Sequence, residues 1–148
     1  MTPSYVLDTD VLVAALRSHR GASRQLLLGA LNGEFELLVS VPLILEYEAV
    51  LTRPEHLAAS GLRKNEVERV LDDVAAVATP VRLAFQWRPQ LPDPDDDMVL
   101  ETALNGGANA IVTFNQRDFG QAAKSFHCAV ISPAEALERL RRFIHEKE

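Results

Sequence analysis

Short apolar runs that each give way to a polar residue constrain this chain more than any other feature. Tyr5-Val6-Leu7 stops at Asp8, Leu37-Leu38-Val39 at Ser40, and Ala110-Ile111-Val112 at Thr113. Unbroken runs of this length read as strands buried on both faces of a sheet. Helical patterns separate them. From Thr9, residues Val11, Leu12, Ala15 and Leu16 share one face, and a second helix covers Ser23 to Leu31. Pro42 opens a third, since proline suits a first turn, with Leu43, Ile44, Tyr47, Val50 and Leu51 as its stripe and Arg53-Pro54 as its end. Lys64 to Val77 reads as a half-exposed helix inside Val67, Val70, Leu71 and Val74. Val81 to Phe85 is expected as a strand, and Arg88 to Pro94 as a proline-broken loop. Asp95 or Asp96 is expected to cap a helix whose inner face is Val99, Leu100, Ala103 and Leu104, closed by Gly106-Gly107. Ala129 to Ile131 is another strand and Pro133 to Ile144 a final amphipathic helix, whereas 58–61 and 121–126 carry no clear pattern.

This alternation predicts a three-layer α/β/α sandwich around a mainly parallel sheet. The 148 residues suit one domain over the whole chain. With 47% apolar residues the core needs no staple, and the single Cys128 excludes an internal disulfide framework and a cysteine-rich zinc site. No run approaches the ~18 apolar residues of a membrane span. Asp8 and Asp10 break the N-terminal apolar run, unlike a signal peptide, so the cytoplasm is the expected compartment. A net charge of −6 argues against nucleic-acid affinity driven by overall charge, though not against a local basic rim.

In a parallel sheet the site lies beyond the carboxyl ends of the strands. Asp8, Glu46, an aspartate of Asp95-Asp96-Asp97, and Asp118 with Asn115 are the groups that such ends bring together. Asp96 lies three residues before Val99 and seven before Ala103, which places it on the inward side. Asp97 lies three before Leu100, so the geometric preference for Asp96 is small. Glu46 sits at the margin of its helix's buried stripe. Two carboxylates 4 Å apart repel by ~4 kcal/mol at an effective dielectric of 20, so the six pairs among four of them reach on the order of 15 kcal/mol. That rivals the roughly 5 to 15 kcal/mol net stability of a domain, so such a cluster must protonate or bind a cation. All-oxygen ligands favour Mg²⁺ or Mn²⁺ over zinc or copper. His19, His56, His127 and His145 are dispersed and are expected in surface or packing roles, and Cys128 in the core. An acidic, magnesium-binding pocket suits phosphoryl chemistry. No phosphate-cradling glycine loop is present, which excludes P-loop nucleotide hydrolysis.

Val6-Leu7-Asp8-Thr9-Asp10-Val11-Leu12 resembles the opening strand of PIN domains, and Pro42-Leu43-Ile44-Leu45-Glu46-Tyr47-Glu48 with Val50-Leu51-Thr52-Arg53-Pro54 their second acidic motif. Asp93-Pro94-Asp95-Asp96-Asp97 with Leu100 and Ala103 is similar to the third, and Ala110 to Phe119 resembles the fourth. The likeness spans the chain and is closest to the toxins of bacterial toxin–antitoxin pairs, the VapC-like ribonucleases. It implies Asp8, Glu46 and Asp96 as core metal-binding and catalytic carboxylates, completed by Asp118 or by a water held by Asn115. Thr113 is implied to orient a water or a carboxylate. Asp10 stands where the family more often has asparagine, and Asn115 where many members carry the fourth aspartate. The resemblance also implies metal-dependent RNA cleavage, a homodimer, and inhibition by a small antitoxin protein. RNA needs cations at the rim. Arg17, Arg20, Arg24, Arg53 and Arg117 are candidates, Arg53 and Arg117 foremost. Phe114, Phe119 and Trp87 are the only aromatic residues placed to stack on bases.

Two rival readings use the same residues. Asp8-Thr9-Asp10-Val11 also resembles the nucleophile motif of haloacid-dehalogenase phosphatases, with Ser40 and Lys64 as followers. That superfamily's last acidic motif leaves an apolar strand, whereas Asp93 to Asp97 follow a proline-broken loop. A catalytically inactive PIN-like protein-binding module is the other rival.

Overall fold

The computed structural model describes residues 2–84 and 94–147. Five strands form one sheet: β1 (Ser4–Leu7), β2 (Glu36–Val39), β3 (Thr79–Pro80), β4 (Ala110–Val112) and β5 (Ala129–Ile131). Their order is β3-β2-β1-β4-β5, and every neighbouring pair is parallel. Helices α1 (Thr9–Arg17) and α2 (Ala22–Leu31) connect β1 to β2. Helices α3 (Val41–Leu51), α4 (Pro54–Ser60) and α5 (Lys64–Val77) lead to β3, α6 (Pro94–Gly106) to β4, and α7 (Gln116–Ser125) to β5. Helix α8 (Pro133–Lys147) ends the chain and packs on α2.

Helices join every pair of consecutive strands and pack against this parallel sheet, the α/β architecture expected from the sequence. The chain moves from β1 outward through β2 and β3, then returns to add β4 and β5 on the far side. The crevice beyond the ends of β1 and β4 is therefore the topological switch point. Val6, Leu7, Ile111 and Val112 are fully buried, as strands covered on both faces require.

Two walls of that crevice are tied by a buried hydroxyl chain. Ser40 caps α3, accepting from the Leu43 N–H at 3.4 Å. The Thr102 hydroxyl on α6 donates to the Met98 carbonyl at 2.7 Å, so Ser40 Oγ, 2.7 Å from Thr102 Oγ1, is the donor to it. The carrier of Glu46 is thereby fixed against the carrier of Asp96.

The strand expected over 81–85 lies earlier. Leu38 pairs with Thr79 and Val39 with Pro80, and the Val81 N–H donates to the Val39 carbonyl at 2.7 Å. Pro80 is tolerated because β3 is the sheet's edge strand, where its missing N–H costs no ladder bond. Phe85 and the loop expected from Arg88 lie outside the described residues, apart from Pro94. Helix α6 begins at Pro94, so Asp95 and Asp96 stand inside its first turn rather than capping it. Helices α4 and α7 have no counterpart in the sequence reading. Pro54 both ends α3's reach and opens α4, while α7 buries only Phe119 and Ala123 among its described side chains, too few to show as a stripe.

Gly106 lets α6 approach the sheet edge. A Cβ there would meet Val81 Cγ2 at 2.8 Å and Leu38 Cδ1 at 2.9 Å. Gly106→Ala is expected to lower stability by about 1–3 kcal/mol, against its helix-propensity gain. Gly120→Ala, with nothing within 4 Å, should raise it by up to ~1 kcal/mol. Urea denaturation of the two variants checks the contrast.

Candidate active site

The switch point is built on strand register. Leu7 pairs with Val112, and the Asp8 N–H donates to the Val112 carbonyl at 2.9 Å, which sets Asp8 beside Thr113. Asp8 is buried and does two things at once. Its Oδ1 caps α1 by accepting from the Thr9 N–H at 2.8 Å, and its Oδ2 accepts from the Thr113 hydroxyl at 2.7 Å. Thr113 is fully buried, and its Oγ1 in turn accepts from the Asn115 N–H at 2.9 Å. The hydroxyl thus orients a carboxylate, one of the two roles expected for it. Beneath, the buried Tyr47 hydroxyl donates to the Leu7 carbonyl. Burial first, and then the charge of Asp8, push the Tyr47 phenol above its ordinary range, so it stays a neutral donor.

Asp10, in the first turn of α1, shares this end of the sheet. Its Oδ2 accepts from the Phe114 N–H at 3.1 Å and from Asn115 Nδ2 at 3.0 Å, with the Thr113 hydroxyl at 3.5 Å. Among the described residues its Oδ1 is buried with no hydrogen-bond partner. Burial, followed by the neighbouring Asp8 charge, raises the Asp10 carboxyl from 3.8 to about 7, although the Phe114 and Val11 amides and the Thr113 hydroxyl pull it down.

Asp8, Asp10, Glu46, Asp96, Asn115 and Asp118 line one pocket of about 320 Å³, together with Thr9, Val13, Val50, Arg53 and His56. The four carboxylates expected to converge do so, from four separate elements. Asp97 does not line it and is buried instead. One residue along a helix is a rotation of about 100°, enough to send neighbouring side chains to opposite destinations. Arg53 stands at the rim, whereas Arg117 is exposed and does not line the pocket. Arg24 is a strut between the first two helices, its Nε donating to the Ala15 carbonyl. Phe119 is fully buried and offers no stacking face, Phe114 is 55% exposed, and Trp87 lies outside the described residues. His56, expected in a surface or packing role, is half-buried and lines the pocket as well, carried there by α4, a helix with no sequence pattern. A larger cavity of about 500 Å³ along α8 holds none of the expected residues and lies among Leu137, Arg141 and His145.

Among the described residues, no three His, Cys, Asp or Glu side chains are drawn close enough to hold a metal ion together. The acids stand around the walls of the pocket. The acids nonetheless fit a hard dication: their donor atoms are oxygens, and Asp10 Oδ1 is buried with no hydrogen-bond partner among the described residues. The phosphatase reading finds no support. Lys64 is exposed at the start of α5, Ser40 is spent as a buried cap, and neither lines the pocket.

A family model described as PIN domain matches residues 4–117, and the chain belongs to the PIN-domain family. No curated protein matches the sequence. Among solved structures, the chain is similar to one from the crystal structure of VapBC2 from Rickettsia felis bound to a DNA fragment from their promoter. The TM-score is 0.59 at 14% identity, covering 87% of this chain and 98% of that one. That likeness is one of fold.

The raised Asp10 carboxyl gives a pH prediction. The folded chain holds this proton more tightly than the unfolded chain, so its contribution to stability is full below 3.8 and is lost as pH rises through about 7. Thermal unfolding in EDTA should show the wild type losing stability between these values relative to Asp10→Asn. Above pH 7 the variant should be the more stable, and added Mg²⁺ should narrow the gap. Parallel pH profiles for the two proteins would show that the Asp10 charge is not strained.

Proposed function

We propose that this PIN domain is a metal-dependent endoribonuclease acting as the toxin of a toxin–antitoxin pair. The observation that carries the reading is the convergence of Asp8, Glu46, Asp96 and Asp118 on one pocket at the sheet's switch point. These four would hold Mg²⁺ or Mn²⁺, with Asn115 and Asp10 in support. The bound cation would neutralise phosphate oxygens and lower the pKa of a bound water, so that hydroxide is available near neutral pH. Water would attack the phosphodiester in line, breaking the P–O3′ bond and leaving a 5′-phosphate and a 3′-hydroxyl. Thr113 holds the Asp8 carboxylate in one rotation, and Asn115 holds Asp10. Fixing the oxygens before substrate arrives limits reorganisation during the reaction.

A small antitoxin partner and a homodimer belong to the same reading; the likeness to a VapBC2 chain supports the antitoxin. No helix among the described residues is long and apolar enough to cross a membrane, which fits action in the cytoplasm.

Purified protein should cleave RNA with Mg²⁺ and stop on addition of EDTA. Loss of an outer partner of a metal site typically costs 10–100-fold, so Asp8→Asn and Asp96→Asn should each lose about 100-fold or more, and Thr113→Val roughly tenfold. Asp97→Asn, which leaves the pocket lining unchanged, should cleave far better than Asp96→Asn. Equal cleavage by the wild type and the Asp8 and Asp96 variants would remove the catalytic assignment. A folded protein that cleaves no RNA with Mg²⁺ would favour the protein-binding module instead.

A further inference from the structure

The pocket that gathers the acids also has a basic wall. Arg53 and His56 line it, and Arg17, from the end of α1, reaches the His56 ring with Nη2 3.0 Å from Nδ1. A guanidinium carries only donors and stays charged in proteins. In this contact Arg17 therefore donates and Nδ1 accepts, which leaves the imidazole neutral with its proton on Nε2. The tautomer is set by a residue 39 positions away. Among the described residues, neither the Nε2–H of His56 nor the guanidinium of Arg53 meets a hydrogen-bond or ion-pair partner. A pocket rich in carboxylates thus keeps one cation and one neutral donor unspent.

We infer that Arg53 and His56, the latter set by Arg17, form a subsite for an RNA phosphate beside the acidic wall. The inference rests on the nuclease reading for its ligand. An arginine fork and an N–H donor match the two non-bridging oxygens of a phosphodiester. The chain's net charge of −6 offers no general attraction for RNA, so a local anchor is needed to bring the backbone against the acids. Arg53 supplies charge. His56 supplies a hydrogen bond without charge, and this difference separates the two residues experimentally.

The test measures binding of a fluorescein-labelled single-stranded oligoribonucleotide to the full chain carrying Asp96→Asn, with Mg²⁺ present and the probe checked intact on a gel. Arg53→Ala and His56→Ala should each weaken affinity roughly tenfold. Arg53→Ala should also reduce the slope of log affinity against log salt by about 0.7, the value for one phosphate contact on a single strand. His56→Ala should leave that slope unchanged, because a neutral donor displaces no counterion. His56→Gln, whose amide nitrogen stands near the place of Nε2, should recover most of the affinity, a rescue that a merely structural role would not show. In ¹⁵N spectra, Arg17→Ala should lose the fixed Nε2–H tautomer of His56. Affinity within twofold of the parent for His56→Ala would overturn the subsite, as would a slope change equal to that of Arg53→Ala. If the wild type cleaves no RNA while probe affinity responds as described, the nuclease reading falls and the subsite stands. If RNA is cleaved with Mg²⁺ and substitutions at 17, 53 and 56 alter neither affinity nor KM, the subsite falls and the nuclease stands.

Discussion

Everything at the head of this sheet depends on the parallel register of β1 and β4. With Leu7 opposite Val112, the next residues of the two strands, Asp8 and Thr113, are forced side by side, and a 2.7 Å hydrogen bond joins them. From that bond the rest is hung. Thr113 receives the Asn115 amide, Asn115 holds Asp10, and Asp10 stands against Asp8. A slip of this register would not weaken the site by degrees. It would separate the hydroxyl from the carboxylate it orients and leave a buried Asp8 oxygen unsatisfied.

The charge arrangement follows from this scaffold. Each acid arrives on a different element: Asp8 at the end of β1, Glu46 on α3, Asp96 on α6 and Asp118 on α7. Rigid elements hold like charges around a small cavity more firmly than loops would, and the Ser40–Thr102 contact locks two of the carriers together. The strain shows at Asp10, whose carboxyl is pushed up towards neutrality by burial and by Asp8. Arg53 and His56 face the same space, so the pocket is two-signed rather than uniformly acidic.

Much of this was legible in the residue order because buried parallel strands advertise themselves as short apolar runs, and the residue after each run is by construction at the sheet's carboxyl edge. Asp8 and Thr113 needed no more than that. The helix over 64–77 was equally plain from its alternating charge and valine pattern. Asp96 and Asp97 were harder, since periodicity places a residue on a helix face only to within part of a turn, and both had apolar residues three positions on. The helices over 54–60 and 116–125 were not legible, the first having no buried side chain and the second showing too few to make a stripe. His56 was lost with the first of them. The edge strand β3 reads two residues late, over 81–85, because its own residues, Thr79 and Pro80, are exposed and make no apolar run.

By itself the sequence determined the strand–helix alternation, the parallel sheet and the acidic residues at its edge, because these depend on local periodicity and on which side chains tolerate burial. Tertiary structure decided which aspartate of the 95–97 run faces the pocket, that Asp10 is caught between Asp8 and Asn115, and that Arg17 reaches His56. Those outcomes depend on crossover handedness and strand register, which bring together groups as much as 105 residues apart. No local pattern encodes a distance of that kind.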